Sequence, residues 1–265
     1  MGVSLAVIGG TGVYDPRMLS EVREEKVATP FGGVTVCIGN FHGREVAFVP
    51  RHGEKHSVPP HLINYRANIW SLRELGVERV LATAAVGSLN PDMRPGDFVL
   101  VNQFIDFTRS RKQTFYEGGE EGVFHVDMTD PYCPELRDFL FQCGNKLGFA
   151  VHREGVYVCT EGPRFETPAE IRMFRQWGGD VVGMTSVPEV VLARELGICY
   201  AAVAVVTNYA AGISPSMLTH SEVLEMMRIN SERLRQILSA ALEAVPAKRS
   251  CACAEVLKEA PLKAK

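Results

Sequence analysis

The chain has 265 residues, 46% of them hydrophobic and 22% charged, with a formal net charge of −3. That length supports one large α/β core, and the slightly acidic balance gives no electrostatic basis for binding nucleic acid. No run approaches the roughly 18 apolar residues a membrane span requires, and residues 1–8 carry no basic stretch of the signal-peptide kind, so a cytoplasmic protein is expected.

In chain order, apolar and β-branched runs predict strands over 5–8, 34–38, 46–49, 80–83, 98–101, 156–159, 181–182 and 200–207. Between them, apolar spacings of three and four predict helices over 61–75, 134–147 and 187–196, the stops being Gly76, Gly148 and Gly197. A further helix opens at Pro168, with Thr167 as N-cap, and a long one covers 219–245. This alternation predicts a single α/β domain over 1–245. Residues 246–265 read as an Ala/Lys-rich tail, frayed and carrying Cys251-Ala252-Cys253. Of the seven cysteines, Cys37, Cys133, Cys143, Cys159 and Cys199 sit in apolar surroundings and read as buried reduced thiols. Cys251 and Cys253 read as a redox-active or stabilising pair or as inert tail residues. A metal site there needs further ligands, and none lies nearby in the sequence.

In α/β sheets ligands bind where loops leave the carboxyl ends of strands. Ile8-Gly9-Gly10-Thr11-Gly12 follows the first strand and reads as a tight turn or as a cradle of backbone N–H groups with Thr11 as an added donor. After the strand ending at Val49 come Arg51, the natural bidentate partner of a phosphate, and His52. His52, His56 and His61 do not form a zinc helix, because Pro59-Pro60 interrupts them and no carboxylate stands in register. Small residues around Ala84 and Ala85 expose main-chain amides, and Thr185 stands just before a helix. Four such loops predict one phosphate pocket.

The run Thr160-Glu161-Gly162-Pro163-Arg164-Phe165-Glu166-Thr167 joins a strand to a helix and sets an aromatic ring beside a carboxylate. That pair suits a flat heterocycle with an N–H donor, such as a purine. Asn208 ends the strand over 200–207; it either starts a turn or offers its planar amide to the N7/O6 edge of a purine. His220 stands at the start of the last helix, as a cap or as a site residue.

These segments (IGGTG, TPFG, RHG, NYRANIW, GDFV, QFIDFT, YCP, EGPRFET, MTSVPE and ICYAAVAVVTN) resemble the trimeric purine nucleoside phosphorylases, in the branch that includes methylthioadenosine phosphorylase. The resemblance runs from residue 8 to about 245. It implies a central mixed, partly barrel-like β-sheet flanked by helices, and phosphorolysis of a nucleoside to a purine and a pentose 1-phosphate. Inorganic phosphate is then a co-substrate, with no cofactor and no metal. It implies that Thr11, Arg51, His52, the backbone at Ala84 and Ala85, and Thr185 hold phosphate. Phe165, Glu166, Met184, Asn208, Tyr209, Ala210 and His220 contact the nucleoside, Asn208 and Glu166 being catalytic. It also implies a homotrimer in which His125 is lent to the neighbouring subunit's pocket. The methylthioadenosine pattern has an aspartate at Asn208, an acid at Ala210, a serine at Glu166 and a small apolar residue at His220. These departures turn the expectation toward 6-oxopurine nucleosides, inosine and guanosine, with methylthioinosine and methylthioadenosine behind them. A phosphate-independent hydrolase and a non-catalytic nucleoside-binding protein are the competing classes.

Overall fold

The computed structural model describes residues 2–10, 19–53, 57–214 and 219–260. β1 (Leu5–Gly9) is buried at every residue and pairs in parallel with β4 (Arg44–Pro50) and with β5 (Arg79–Ser88). β2 (Ser20–Thr29) and β3 (Gly32–Phe41) form an antiparallel hairpin that extends the sheet outward from β4. β6 (Phe98–Leu100), β7 (Gln103–Phe107), β8 (Val151–His152), β9 (Val156–Thr160), β10 (Val181–Gly183) and β11 (Cys199–Tyr209) complete it. The path runs β2-β3-β4-β1-β5-β10-β9-β7, and a branch leaves β5 through β11 to β6 and β8.

β5 is where the sheet forks. Its first residues, as far as Ala82, pair with β1, whereas Gly87 and Ser88 pair antiparallel with β10 on that same flank. β11 follows β5 in parallel along the other flank for its whole length. Among the described residues, 83–86 therefore have a strand neighbour on one side only.

Helices cover both faces, as the alternation along β1 requires. Ala6 and Ile8 pack with Ile69 and Leu72 of α1 (Tyr65–Glu74) and Val190 of α4 (Ser186–Glu195). Leu5 and Val7 belong to the opposite cluster, with Leu136 and Leu140 of α2 (Pro134–Lys146) and Leu234 and Leu238 of α5 (His220–Ala244). α3 (Pro168–Gln176) seats Ile171 and Phe174 against Val158 and Val182. The expected mixed sheet flanked by helices is the observed one.

Three differences from the sequence reading have physical causes. β2 carries SEVREEKVAT and is exposed along most of its length, so no apolar alternation announced it; hydrogen bonding to β3 holds it. The predicted helix over 61–75 begins only at Tyr65, because Asn64 caps it by accepting from the Ala67 N–H at 3.1 Å and Pro60–Leu62 form a separate 3-10 turn. Leu62, counted in that helix's apolar stripe, is 66% exposed.

The third difference is the C-terminal segment, which is packed rather than frayed as far as residue 260. Arg79 Nη1 donates to the carbonyls of Pro246 and Ala247 at 2.7 and 3.3 Å. Arg249 donates to Gly197 O at 2.8 Å, and Ser250 Oγ donates to Glu135 at 2.9 Å. Cys251 and Cys253 are not isolated either, since Cys133 and Cys199 come to them from the core.

The helix start that orients the Phe165-Glu166 loop is a full capping box. Thr167 Oγ1 accepts from the Glu170 N–H at 3.2 Å, and Glu170 accepts from the Thr167 N–H at 2.8 Å. Thr167→Ala is expected to lower stability by about 1 kcal/mol. Urea denaturation checks this; an unchanged midpoint would contradict a structural role for the box.

Candidate functional site

A cleft of about 180 Å³ opens over the carboxyl ends of β5, β9, β10 and β11 and is lined by Arg51, Ala84, Glu166, Thr185, Asn208 and His220 among others. It lies over the one-sided stretch of β5. The clearest sign is Ala85, which is exposed in the middle of the most heavily paired strand of the sheet. A residue there ordinarily has its backbone covered on both flanks; among the described residues, the flank of 83–86 turned away from β11 has no strand partner, and the stretch lines a cavity.

Around this floor stand most of the residues expected to hold phosphate. Arg51, His52, Ala84, Ala85 and Thr185 all line the cleft, and so do Gly10 and Thr83. Thr11 lies outside the described residues. Arg51 departs from expectation in its partner: its bidentate face is taken by Glu189, with Nε and Nη2 donating at 2.7 and 2.6 Å. Nη1 donates to Thr83 O at 2.7 Å. These bonds use three of the five guanidinium N–H donors, which leaves one on each Nη. The sequence reading assigned that fork to an anion; a carboxylate from α4 occupies it. His52 Nδ1 lies 2.8 Å from Val58 O, and because a carbonyl only accepts, Nδ1 carries the proton.

Glu189 is the functional candidate that sequence reasoning missed. It is fully buried and also accepts from Tyr200 Oη at 2.7 Å. Nearby, the hydroxyls of Tyr132 and Ser186 are 2.5 Å apart. Burial works against the Arg51 charge, but the Glu189 carboxylate and its hydrogen bonds outweigh it and hold that pKa above the ordinary value. Burial pushes the Tyr200 phenol well above its usual range, and the Glu189 charge adds to the effect. The available signal was an acidic residue on a helix otherwise buried on every side: Val187, Val190, Leu192 and Ala193 are all fully buried.

The opposite end of the cleft is built by the loop after β9. Gly162 has φ +68°, and a Cβ there would lie 2.6 Å from Met184 Sδ, so glycine is required both by conformation and by the close approach of Met184. Arg111, which the sequence reading also missed, ties the loop down through the carbonyls of Thr160 (3.1 Å), Glu161 (2.8 Å) and Val187 (2.6 Å). Glu166 is buried and accepts from Thr160 Oγ1 at 2.7 Å. Burial pushes its carboxyl pKa above the ordinary value, against the lowering effect of that hydrogen bond.

Asn208 lies across from Gly87 in the β5–β11 ladder, just past an irregularity between Val206 and Asn208. Its Oδ1 accepts from Thr207 Oγ1 at 2.7 Å, and its Nδ2 donates to Tyr209 O at 2.9 Å. A Cβ on Gly87 would come within 3.2 Å of Asn208 Nδ2, so the glycine makes room for the amide. Phe165, Met184 and Ala210 line the cleft as expected; Tyr209 does not. Thr207 and Asn208 both reach the cleft at the irregularity in the ladder, Ala210 reaches it just past the strand, and Tyr209 contributes its carbonyl to Asn208 instead. His220 also lines the cleft, beside Val223, Leu224 and Met227 of α5. It is not the helix cap: Thr219 takes that role, accepting from the Glu222 N–H at 3.2 Å. His125 is exposed and is not among the residues lining this chain's cleft.

Residues 4–243 match the phosphorylase superfamily, and the chain belongs to it. It is 60% identical over 249 residues to a probable 6-oxopurine nucleoside phosphorylase of Moorella thermoacetica, covering 94% of this chain and 96% of the relative. It is 57% identical to a 6-oxopurine nucleoside phosphorylase of Pyrococcus furiosus over 261 residues, which is 97% and 98% of the two chains. Among solved structures it resembles a methylthioadenosine phosphorylase from Schistosoma mansoni in complex with adenine, with a TM-score of 0.91, 36% identity, and coverage of 97% and 99%.

Glu189→Ala strands a buried guanidinium and is expected to cost about 3–5 kcal/mol. Glu189→Gln, which keeps an acceptor for part of the fork, should cost less. Denaturant unfolding of both variants checks the order; equal and small losses would mean that Glu189 does not position Arg51.

Proposed function

We infer that the protein catalyses phosphorolysis of 6-oxopurine nucleosides, converting inosine or guanosine and phosphate into free base and ribose 1-phosphate. The observation that carries this reading is the convergence of Asn208 and Glu166 on the same cleft as Arg51, Thr185 and the one-sided stretch of β5. One end offers cationic and amide donors to an oxyanion; the other offers a carboxylate and an amide to a base.

Phosphate held beneath the ribose attacks C1′, and the C1′–N9 bond breaks through an oxocarbenium-like state. The electron pair of that bond moves into the purine ring. The Asn208 N–H left over from its bond to Tyr209 O meets the charge developing at N7/O6, so its help is greatest in the transition state. Glu166 accepts the N1–H that a 6-oxopurine carries and adenine lacks. Leaving that buried carboxylate against adenine's N1 lone pair costs on the order of 1–3 kcal/mol. His52, its Nδ1–H held by Val58 O, stands beside Arg51 at the same end of the cleft. No cofactor enters this chemistry.

A hydrolase or a passive binding protein has no need of the anion end, which supports phosphorolysis over both. A second reading, with 5′-methylthioinosine as substrate, is favoured by one observation: Val223, Leu224 and Met227 put apolar surface beside His220. A cytoplasmic homotrimer acting in purine salvage completes the proposal. Exposed His125 and the 63% exposed Val123 are available to a neighbouring subunit.

Inosine, guanosine, adenosine, methylthioinosine and methylthioadenosine, each assayed with and without phosphate, should show phosphate-dependent turnover led by the 6-oxopurines. Base release without phosphate would point to a hydrolase, and no release to a binding protein. Asn208→Ala should lower kcat by roughly 10²-fold or more, and Asn208→Asp should admit 6-aminopurines; unchanged selectivity in the latter would remove Asn208 as the base reader.

The pH dependence follows from Glu166. Its pKa is raised in the fold, so as pH falls it takes up a proton before an ordinary glutamate does. The protonated acid cannot accept N1–H, so kcat/KM for inosine should fall on an acid limb lying above the usual carboxylate range. Between the ordinary and the raised value the folded protein holds the extra proton, so Glu166's contribution to stability declines as pH rises through that window. An acid limb at the ordinary carboxylate position would contradict the assignment.

A further inference from the structure

Four cysteines from three separated stretches of chain meet at the far end of β11 from the cleft. Cys199 opens that strand, and Cys133 precedes α2 with its N–H donating to Tyr200 O at 2.8 Å. Cys251 and Cys253 come from the C-terminal segment that Arg79, Arg249 and Ser250 tie to the core. Cys133, Cys199 and Cys253 are buried and Cys251 is half-buried, and all four are free thiols. Their Sγ atoms all lie within 4.8 Å of one another, with Cys199 and Cys251 3.3 Å apart.

We propose that Cys133, Cys199, Cys251 and Cys253 form a structural zinc site that staples the C-terminal segment to the amino end of β11 and the start of α2. Zinc–sulfur bonds of about 2.3 Å in a tetrahedron put the sulfurs about 3.8 Å apart, so closure needs shifts of an ångström or less. The thiols form one mutually close group rather than two separate pairs, as a single central ion requires. Four protein ligands make a closed site with no position for a reacting group, the mark of a structural centre. The surroundings also suit its charge. Four thiolates around a divalent cation carry two net negative charges, and Arg249 Nη1 already donates to Cys199 Sγ at 4.0 Å. Arg79, register partner of Cys199 on β5 and therefore on the same face of the sheet, is buried with Nε and Nη2 lacking partners among the described residues. Binding exchanges four S–H bonds for four S–Zn bonds and releases four protons to water, with no change of oxidation state.

The ion's effect falls on stability. From Cys199 to Asn208 is nine residues along one strand, about 30 Å, so the site is remote from the cleft and its role is independent of what the cleft does. The test starts with protein purified under reductant and analysed for metal by mass spectrometry, then stripped and titrated with Co²⁺. Expected are about one zinc per chain and, with Co²⁺, the intense thiolate-to-cobalt charge-transfer absorption of a tetrahedral site. The Cys251→Ser/Cys253→Ser double variant should lose both and melt at a lower temperature than the zinc-loaded protein, with its nucleoside turnover unchanged. A chelator should lower the melting temperature of the unaltered protein and leave the double variant where it is. The proposal is overturned if the reduced, unaltered protein takes up neither ion. It is equally overturned if peptide mapping of protein isolated without oxygen finds these cysteines joined as disulfides. Because the Co²⁺ titration uses the unaltered chain, it decides the matter even if the double variant fails to fold.

Discussion

The constraint on which the site depends is the change of partner along one flank of β5. β1 accompanies that strand as far as Ala82 and β10 joins it only at Gly87, running the other way. A buried sheet tolerates unpaired backbone groups only if something else satisfies them. Part of the answer is internal: Arg51 Nη1 takes the Thr83 carbonyl. The flank of this stretch that lacks a strand partner lines the cleft, and in the proposed reading an anion accepts from its amides there. The strand order therefore creates the surface on which the proposed oxyanion site is built, and the side chains refine it.

A guanidinium beside that surface must stay charged and stay in place while buried. The Arg51–Glu189 pair does both, but it is poor evidence for stability, because two desolvated ions rarely gain more than a well-packed apolar pair. Its value is positional. The bidentate geometry fixes the plane of the guanidinium, Tyr200 fixes Glu189, and α4 carries Glu189 on a helix buried on all sides. The guanidinium is then held without further reorganisation, the condition under which the electrostatic help proposed for it is largest.

Much of this was legible in the sequence, and the residues that were not share a cause. Strands with continuous apolar runs, such as β11, and helices with strong periodicity or caps, such as α3, announce themselves locally. So do the loops that end them, which is why Asn208, Glu166, Thr185 and Ala84 fall in one cleft as expected. Glu189, Arg111 and the meeting of Cys199 with Cys251 are set by contacts between residues 49 to 138 positions apart, the widest being that of Arg51 and Glu189. No local pattern encodes such a partner. The C-terminal segment misled for the opposite reason: its composition is that of a frayed tail, yet Leu257 and Ala260 seat it on the core and Arg79 reaches out to hold it.

The two ends of the cleft are supported differently, and this bears on how a common scaffold serves related nucleosides. The proposed anion end rests on strand order and on a buried ion pair, so altering it disturbs the sheet. The proposed base end rests on side chains: Glu166 from a loop pinned by Arg111, Asn208 at the end of a strand, His220 on the first turn of α5. Exchanging an amide for an acid there, or an acid for a hydroxyl, leaves every strand pairing intact while, in the proposed pose, reversing which edge of a purine finds a partner. A buried polar mismatch at such a position can separate two substrates by about 10⁴-fold. Selectivity can therefore shift at low structural cost at one end while the oxyanion chemistry at the other stays as the sheet dictates.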